Sequence, residues 1–185
     1  MKFLKLFLII FISLTSSVKA DFNKKLLNHL EDGGKLIFIR HAYAPGSGDP
    51  NNFNLNDCST QRNLSDEGRK QAEHIGEFFR KKKIKIDKVL SSEWCRCKET
   101  AKIAFQNFST NSFLNSFYSS KFEKNKDQQI NSLNDYIIKF KSDKNLILVT
   151  HYVLISEVLN YAPSSGEIVV SDKNFNMIGS IEINY

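Results

Sequence analysis

Strand-forming and helix-forming patterns alternate along this chain. Residues 35–40 (KLIFIR) and 146–150 (LILVT) are nearly continuous apolar runs, typical of strands buried on both faces of a sheet. Further strands are predicted at residues 86–91, 167–171 and 177–183. Helices are predicted at residues 22–30, 65–83, 93–105, 126–141 and 153–161. The alternation predicts an α/β fold, a three-layer sandwich with a mainly parallel central sheet flanked by helices.

Two segments between the predicted elements are long and irregular. Residues 42–63 are rich in Gly, Pro, Asn and Asp, and residues 107–127 carry no readable motif. Long loops in compact domains are usually functional. We therefore expect both segments to cover a binding pocket and to determine its specificity.

The first twenty residues have the pattern of a secretory signal peptide. A basic start is followed by the apolar run 6–14 (LFLIIFISL) and by small residues up to Ala20. This run is too short to span a bilayer, so no permanent membrane span is expected. The sequence predicts cleavage after Ala20, a single domain over residues 21–185, and a periplasmic or secreted bacterial protein.

The net charge of the chain shrinks when the predicted signal peptide is set aside. The 185 residues carry 26 Lys and Arg against 20 Asp and Glu, a formal charge of +6 that would suit a polyanionic partner. Lys2, Lys5 and Lys19 lie in the predicted signal peptide, and their removal leaves +3. No dense basic stripe with interleaved aromatic residues is present in the sequence, so no nucleic-acid partner is expected.

The chain has three cysteines, Cys58, Cys95 and Cys97. In an oxidising compartment an odd number is consistent with one disulfide and one free thiol. The C-x-C spacing is too tight for easy pairing, so we expect a bridge from Cys58 to either Cys95 or Cys97, with three free thiols as the alternative. The spacing matches no zinc-binding pattern, and no metal site is expected.

Polar side chains follow two of the predicted strands. Arg40 and His41 end one strand and His151 ends another, while Arg96 lies at the start of the helix that follows residues 86–91. In α/β sheets, ligands bind outside the carboxyl ends of the strands. Two Arg and two His side chains converging there would form an electropositive site that suits a phosphate dianion.

Four sequence blocks resemble those of the histidine phosphatase superfamily, the phosphoglycerate-mutase-like proteins. Arg40-His41-Ala42 resembles the Arg-His-Gly signature, with Ala in place of the common Gly. Residues 63–72 (NLSDEGRKQA) resemble the Leu-Thr-x-x-Gly-x-x-Gln-Ala block, and residues 91–101 (SSEWCRCKETA) resemble the Ser-Ser-x-x-x-Arg-x-x-x-Thr-Ala block. Residues 149–151 (VTH) match the strand that bears the second histidine. The resemblance extends from about residue 35 to the end of the chain.

The resemblance implies a metal-independent phosphatase that hydrolyses a phosphomonoester through a phosphohistidine and needs no cofactor. His41 would be the nucleophile, and Arg40, Arg96 and His151 would hold the phosphoryl oxygens. The partner would be a small phosphorylated substrate. Independently of the resemblance, Arg62, just before the predicted helix 65–83, is a candidate contact for the substrate anion.

The general acid is the least defined part of this site. Many family members carry a catalytic Glu after the Arg-bearing helix, where this chain offers Glu123 and Asp127 without a recognisable motif. Another branch has Asp directly after the second histidine, where this chain has Tyr152. Glu167 is the third candidate acid. A surface carboxylate is the alternative interpretation of each.

Other functions of the same fold stay open at this point. A phosphomutase would use the same nucleophile, although export separates the protein from cytosolic metabolites. A phosphate- or phosphoglycan-binding protein would keep the pocket without an efficient general acid. The sequence leaves the physiological substrate and the oligomeric state open.

Overall fold

The computed structural model describes residues 24–184, so the predicted signal peptide, residues 1–20, lies outside the described residues. The described residues form one six-stranded sheet with helices on both faces. The strands are β1 (Leu36–Arg40), β2 (Ile86–Ser91), β3 (Ser109–Thr110), β4 (Asn145–Thr150), β5 (Ile168–Ser171) and β6 (Met177–Ile181). The helices are α1 (24–32), α2 (Asp66–Lys81), α3 (Cys95–Phe105), α4 (Ser120–Glu123), α5 (Lys126–Lys139) and α6 (Tyr152–Leu159).

The sheet is mixed, and its two central strands are parallel. The strand order is β3-β2-β4-β1-β5-β6, with β1, β2, β3 and β4 parallel and with β5 and β6 added antiparallel at one edge. The prediction of a mainly parallel sheet in an α/β sandwich is confirmed. β5 and β6 pair antiparallel because the turn that connects them is short, whereas parallel neighbours need a crossover of a dozen residues or more. Asp172 accepts hydrogen bonds from the N–H groups of Asn174 (2.8 Å) and Asn176 (2.9 Å) in this turn.

Side chains of the central strands alternate between two hydrophobic cores. Ile37 and Ile39 of β1 pack on one face with residues of α1, α2 and α3, whereas Leu36 and Phe38 pack on the other face with residues of α5 and α6. Successive strand side chains point to opposite faces, so a strand buried on both faces must be apolar throughout. This is why KLIFIR and LILVT lack polar alternation.

The start of α2 packs directly against the chain that leaves β1. Ser65 caps the helix by accepting a hydrogen bond from the Gly68 N–H (3.2 Å). A Cβ on Gly68 would lie 2.0 Å from the Tyr43 carbonyl oxygen, so only glycine allows this approach. The buried Gln71 accepts from the Tyr43 N–H (2.9 Å) and donates to the Ser165 carbonyl (2.8 Å). The family-like block 63–72 therefore supports the segment after His41 without lining the pocket.

None of the helices within residues 24–184 is long and apolar enough to cross a membrane.

Candidate active site

His41 and His151 meet at the carboxyl edge of the sheet because they follow the two central parallel strands. The register pairs Arg40 with Thr150, and the His41 N–H donates to the Thr150 carbonyl (2.9 Å). The centroids of the two imidazole rings are 5.5 Å apart. Both rings line a pocket of about 300 Å³, together with Arg40 and Arg96. The structure thus brings together the four residues that the sequence predicted as a phosphate site.

The hydrogen bonds of His41 determine which nitrogen can react. Its Nδ1 lies 2.9 Å from the Ala42 carbonyl oxygen. A carbonyl can only accept, so the proton is on Nδ1 and the lone pair is on Nε2. Burial, followed by the positive charge of Arg96, holds the pKa of His41 well below its usual value. The imidazole is therefore neutral and its Nε2 is nucleophilic at physiological pH.

His151 lies in a chain of hydrogen bonds that holds its ring in place. The Arg96 guanidinium donates weakly to Nδ1 (3.4 Å), so Nε2 carries the proton and donates to the Ser92 hydroxyl (2.9 Å). Ser92 in turn donates to the side-chain carbonyl of Asn115 (3.0 Å). Burial and then Arg96 lower the pKa of His151 well below its usual value. The second Ser of the family-like block thus orients this ring.

Two guanidinium groups at the pocket each carry a buried Nε–H without a partner. Among the described residues, the Nε atoms of Arg40 and Arg96 are the buried side-chain nitrogens or oxygens that lack a hydrogen-bond partner. The Arg40 Nη1 donates to the Pro163 carbonyl (2.9 Å), which leaves Nε unused. Unpaired buried donors are costly, and an oxyanion is the acceptor that charged N–H groups bind most strongly.

The first turn of α3 is anchored to the segment after His41. The Thr100 hydroxyl donates to the Arg96 carbonyl (2.7 Å) and accepts from the Ala42 N–H (3.0 Å). The Thr of the family-like block 91–101 therefore sets the position of the helix that bears Arg96 relative to the nucleophile.

Arg62 lines the pocket, as the sequence suggested, but its guanidinium donates its hydrogen bonds to backbone carbonyls of the segment 42–63. Its guanidinium donates to the carbonyls of Ala44 and of Gly48 (2.8 Å for the latter). Burial and then the charge of Arg96 lower the pKa of Arg62. Arg62 contributes positive potential to the pocket while it holds the backbone near Gly48.

Both irregular segments predicted to cover the pocket contribute to its lining. Residues 46–51 and Phe53 come from the first segment, and Ser116, Tyr118, Ser119, Lys121 and Phe122 come from the second. Phe53 stacks on Trp94, with ring centroids 5.0 Å apart. The lining therefore combines the cationic side chains at the strand ends with aromatic rings and Lys121.

Asp49 is a pocket residue that the sequence analysis missed. Its carboxylate accepts hydrogen bonds from Arg96 Nη1 (2.7 Å) and Nη2 (3.2 Å), from Trp94 Nε1 (3.1 Å) and from the Arg62 N–H (3.1 Å). Burial alone would raise the pKa of Asp49, but the hydrogen bonds and charge of Arg96 outweigh it and hold the pKa below its usual value. Within the irregular segment 42–63, no pattern in the sequence distinguishes this Asp from Asp57.

The three carboxylates proposed as general acids lie elsewhere. Glu123 and Asp127 are exposed and do not line the pocket. Glu167 is buried outside it, where its carboxylate accepts hydrogen bonds from the Tyr161 hydroxyl (2.6 Å) and the Ser164 N–H (2.7 Å). This corrects the sequence-based choice: Glu167 stabilises the turn before β5, and the exposed pair lies outside the pocket lining.

A disulfide joins the pocket loop to the Arg96-bearing helix. Cys58 pairs with Cys95, and the Cys95 N–H also donates to the side chain of Gln61 (2.9 Å). Cys97 is the free thiol, fully buried, with its Sγ 3.5 Å from His151 Nε2. Burial raises the pKa of Cys97 to about 12, so the thiol stays protonated. Among the described residues, no group of three or more His, Cys, Asp and Glu is placed to hold a metal ion.

Acidification below about pH 6.5 should destabilise the protein before its carboxylates titrate. The unfolded chain binds protons at His41 and His151 near pH 6.5, whereas the folded chain keeps both neutral to a much lower pH. The free energy of unfolding should therefore fall by up to about 1.4 kcal/mol per pH unit for each histidine. Urea titrations at about pH 7 and about pH 5 measure this. His41→Gln should show a smaller pH dependence, and an equal or steeper one would contradict the assignment.

Three solved structures share this fold at low sequence identity. The protein histidine phosphatase SixA complexed with tungstate is 14% identical, with a TM-score of 0.53, covering 82% of this chain and 94% of that one. The mycobacterial glucosyl-3-phosphoglycerate phosphatase complexed with VO3 is 14% identical, with a TM-score of 0.53, covering 75% and 92%. Phosphoglycerate mutase from Thermus thermophilus is 13% identical, with a TM-score of 0.52, covering 81% and 99%.

No curated protein sequence matches the chain. The family model of the histidine phosphatase superfamily (branch 1), however, matches residues 36–116. This range includes His41 at the end of β1 and Arg96 in the first turn of α3, whereas β4 and His151 lie beyond it. Residues 36–116 therefore match the histidine phosphatase superfamily, and the described domain has the fold of solved structures of such phosphatases and mutases.

Proposed function

We propose that this protein is a metal-independent phosphatase that hydrolyses a phosphomonoester through a phosphohistidine on His41. The observation that carries the proposal is the neutral His41, with its Nε2 lone pair free, beside the unpaired Nε–H groups of Arg40 and Arg96. A nucleophile next to unpaired cationic N–H groups suits a phosphoryl group, because its oxygens are the acceptors that these groups lack. The structures complexed with tungstate and with VO3 are phosphatases of the same fold, which supports this choice of ligand.

The reaction follows from these groups in two displacements. His41 Nε2 attacks phosphorus while the ester oxygen leaves, and Arg40 and Arg96 stabilise the equatorial oxygens as charge spreads over them. His151 joins them when its Nε2–H exchanges the Ser92 hydroxyl for a phosphoryl oxygen. Water then attacks the phosphohistidine from the side that the leaving group vacated, and inorganic phosphate departs. The Nδ1–H bond to the Ala42 carbonyl keeps the ring in one orientation through both steps. The arginines supply the positive charge that a metal ion would otherwise bring.

We also propose that the mature chain acts in the periplasm or outside the cell. Two features support this: the signal-peptide pattern of residues 1–20 and the Cys58–Cys95 disulfide, since disulfides persist in oxidising compartments. N-terminal sequencing of the protein recovered from a periplasmic extract tests it, with Asp21 expected as the first residue. Recovery of the whole chain, starting at Met1, in the cytosolic fraction would refute the proposal.

Turnover of an aryl phosphate tests the proposed activity. The purified protein should hydrolyse 4-nitrophenyl phosphate, retain its rate in excess chelator, and be inhibited by vanadate, which resembles the transferring phosphoryl group. Loss of activity in chelator would contradict the metal-free mechanism. If the protein binds phosphate yet hydrolyses no aryl phosphate between about pH 4 and about pH 9, it is a binding protein of this fold.

A further inference from the structure

We propose that Asp49 is the general acid and base of this pocket, a role that rests on the proposed phosphatase function. Among the described residues that line the pocket, Asp49 is the only one with a carboxylate. The other lining groups that titrate are the two catalytic histidines, the cationic side chains Arg40, Arg62, Arg96 and Lys121, and two tyrosines. An alkoxide leaving group needs a proton as the P–O bond breaks, and a carboxyl group is a suitable donor.

Asp49 is held at the phosphate end of the pocket by its neighbours. Its side chain is 15% exposed, and its carboxylate spans both terminal nitrogens of Arg96. Trp94 Nε1 and the Arg62 N–H donate to the same two oxygens from other directions. Because Arg96 is predicted to contact the phosphoryl group, a carboxylate paired with Arg96 lies next to that group and to its ester oxygen.

The ion pair with Arg96 explains how Asp49 would gain its proton. In the free protein Arg96 keeps Asp49 ionised, and its pKa lies below the usual value. A bound phosphate dianion brings two negative charges beside Asp49 and competes for the same guanidinium nitrogens. Both effects favour the neutral carboxyl group, because a nearby like charge and the loss of a cationic partner each raise a carboxyl pKa. Substrate binding is thereby coupled to protonation of Asp49 from solvent.

The proton is conserved over the catalytic cycle. In the first step the His41 Nε2–P bond forms, the P–O ester bond breaks, and the ester oxygen takes the proton of Asp49. The alcohol leaves, and Asp49 is again a carboxylate. In the second step a water molecule forms an O–P bond and gives its proton to Asp49 as the Nε2–P bond breaks. The products are an alcohol and inorganic phosphate, and Asp49 is protonated as it was in the substrate complex. When phosphate leaves, Arg96 pairs with Asp49 again and the proton returns to solvent, which restores the carboxylate of the free protein.

The loop around Asp49 is anchored by two contacts that do not depend on the ion pair between Asp49 and Arg96. Phe53 stacks on Trp94, and Cys58 is bonded to Cys95, so the loop stays on the first turn of α3 when Arg96 turns to the phosphate. On the other side, Gly48 has a φ of +67°, and no atom lies within 4 Å of the place that a Cβ would occupy there. A change of ion-pair partner at Asp49 therefore leaves these two anchors of the loop in place.

The test compares two leaving groups in Asp49→Asn. Asparagine keeps the size of the side chain and an acceptor oxygen for Arg96 and Trp94, but it cannot donate a carboxyl proton. We expect kcat/KM for an alkyl phosphate such as glycerol phosphate to fall by about 10²–10⁴-fold. For 4-nitrophenyl phosphate, whose leaving group departs without a proton, we expect a loss of less than about tenfold. Glu123→Gln, an exposed carboxylate outside the pocket, is the matched control and should change neither rate.

Equal losses with both substrates would overturn the proposal, because they would mean that Asp49 only positions Arg96. No loss with either substrate would overturn it too. If Asp49→Asn does not fold, the proposal is tested by measuring kcat/KM of the unmodified protein for a series of aryl and alkyl phosphates. A shallow dependence of kcat/KM on leaving-group pKa supports proton donation, and a steep one refutes it. A protein that forms a phosphoenzyme on His41 but fails these tests refutes the role of Asp49 alone, whereas absence of all hydrolysis refutes the phosphatase itself.

Discussion

Replacement of His41 by alanine should abolish the phosphoenzyme and lower kcat/KM for an aryl phosphate by at least about 10⁴-fold. The ring is the nucleophile in both displacements, and alanine leaves no group that can form the N–P bond. Incubation with a labelled phosphodonor, followed by denaturing electrophoresis, should show label on the unmodified protein and none on His41→Ala. The bond should be labile in acid and stable in base, as expected of a phosphoramidate.

The control for this experiment is His29→Ala. His29 is exposed on α1, and it does not line the pocket. Labelling and turnover should be unchanged in this variant. Label that persists in His41→Ala, or that is lost in His29→Ala, would show that the nucleophile has been assigned to the wrong histidine.

Replacement of Arg96 by alanine should lower kcat/KM by about 10²–10³-fold, the usual cost of one lost contact to transition-state charge. Arg96 is 3% exposed, is predicted to contact the phosphoryl group, and sets the charge around both histidines and Asp49. Vanadate affinity should fall in parallel, since the same donors bind it. Arg69→Ala removes an arginine whose ion pairs lie outside the pocket, and it should leave turnover within about twofold.

The Arg96 variant also tests the buried ion pair. Alanine leaves the Asp49 carboxylate without its main partner, and breaking a buried pair costs about 3–5 kcal/mol of folding free energy. Urea unfolding measures this cost, and Arg96→Lys keeps the charge if the alanine variant does not fold. A loss of turnover below about tenfold in a folded variant would remove Arg96 from the phosphate site.

The residues that the sequence predicted well are those placed by the sheet. His41 and His151 follow strands that are apolar on both faces, and such a strand has to be central. Parallel central strands bring their carboxyl ends to one edge, so the meeting of these two rings follows from hydrophobic pattern alone. The pattern also places Arg96 at the start of the helix that follows β2, and the family-like block 91–101 adds its role as a phosphate contact.

The pocket loop could not be predicted because tertiary contacts alone determine its path. Asp49 reaches Arg96 through the stacking of Phe53 on Trp94 and the pairing of Cys58 with Cys95, none of which has a local signal. The sequence also did not predict the short elements β3 and α4, for a related reason. Two and four residues are too few to show a period, so the segment that follows α3 had no readable structure in the sequence.

For the same reason, the sequence could not decide whether Cys95 or Cys97 forms the disulfide with Cys58. Two residues on an α-helix are about 200° apart around its axis, so the two thiols had to face opposite sides of α3. One faces the pocket loop and bonds to Cys58, and the other faces the sheet beside His151. Which thiol takes which side depends on how α3 rotates against the sheet, and packing decides that rotation.

The burial of Cys97 makes the order of folding and oxidation matter for this protein. In the folded chain its thiol is out of reach of Cys58 and protonated, so thiol–disulfide exchange with the native bridge is blocked. Only a chain that oxidises before β4 and α3 have packed can join Cys97 to another cysteine. Such an isomer would turn the wrong side of α3 towards the loop and carry Arg96 away from its place. Two chemically identical preparations could then differ in their active fraction, according to whether collapse or oxidation came first.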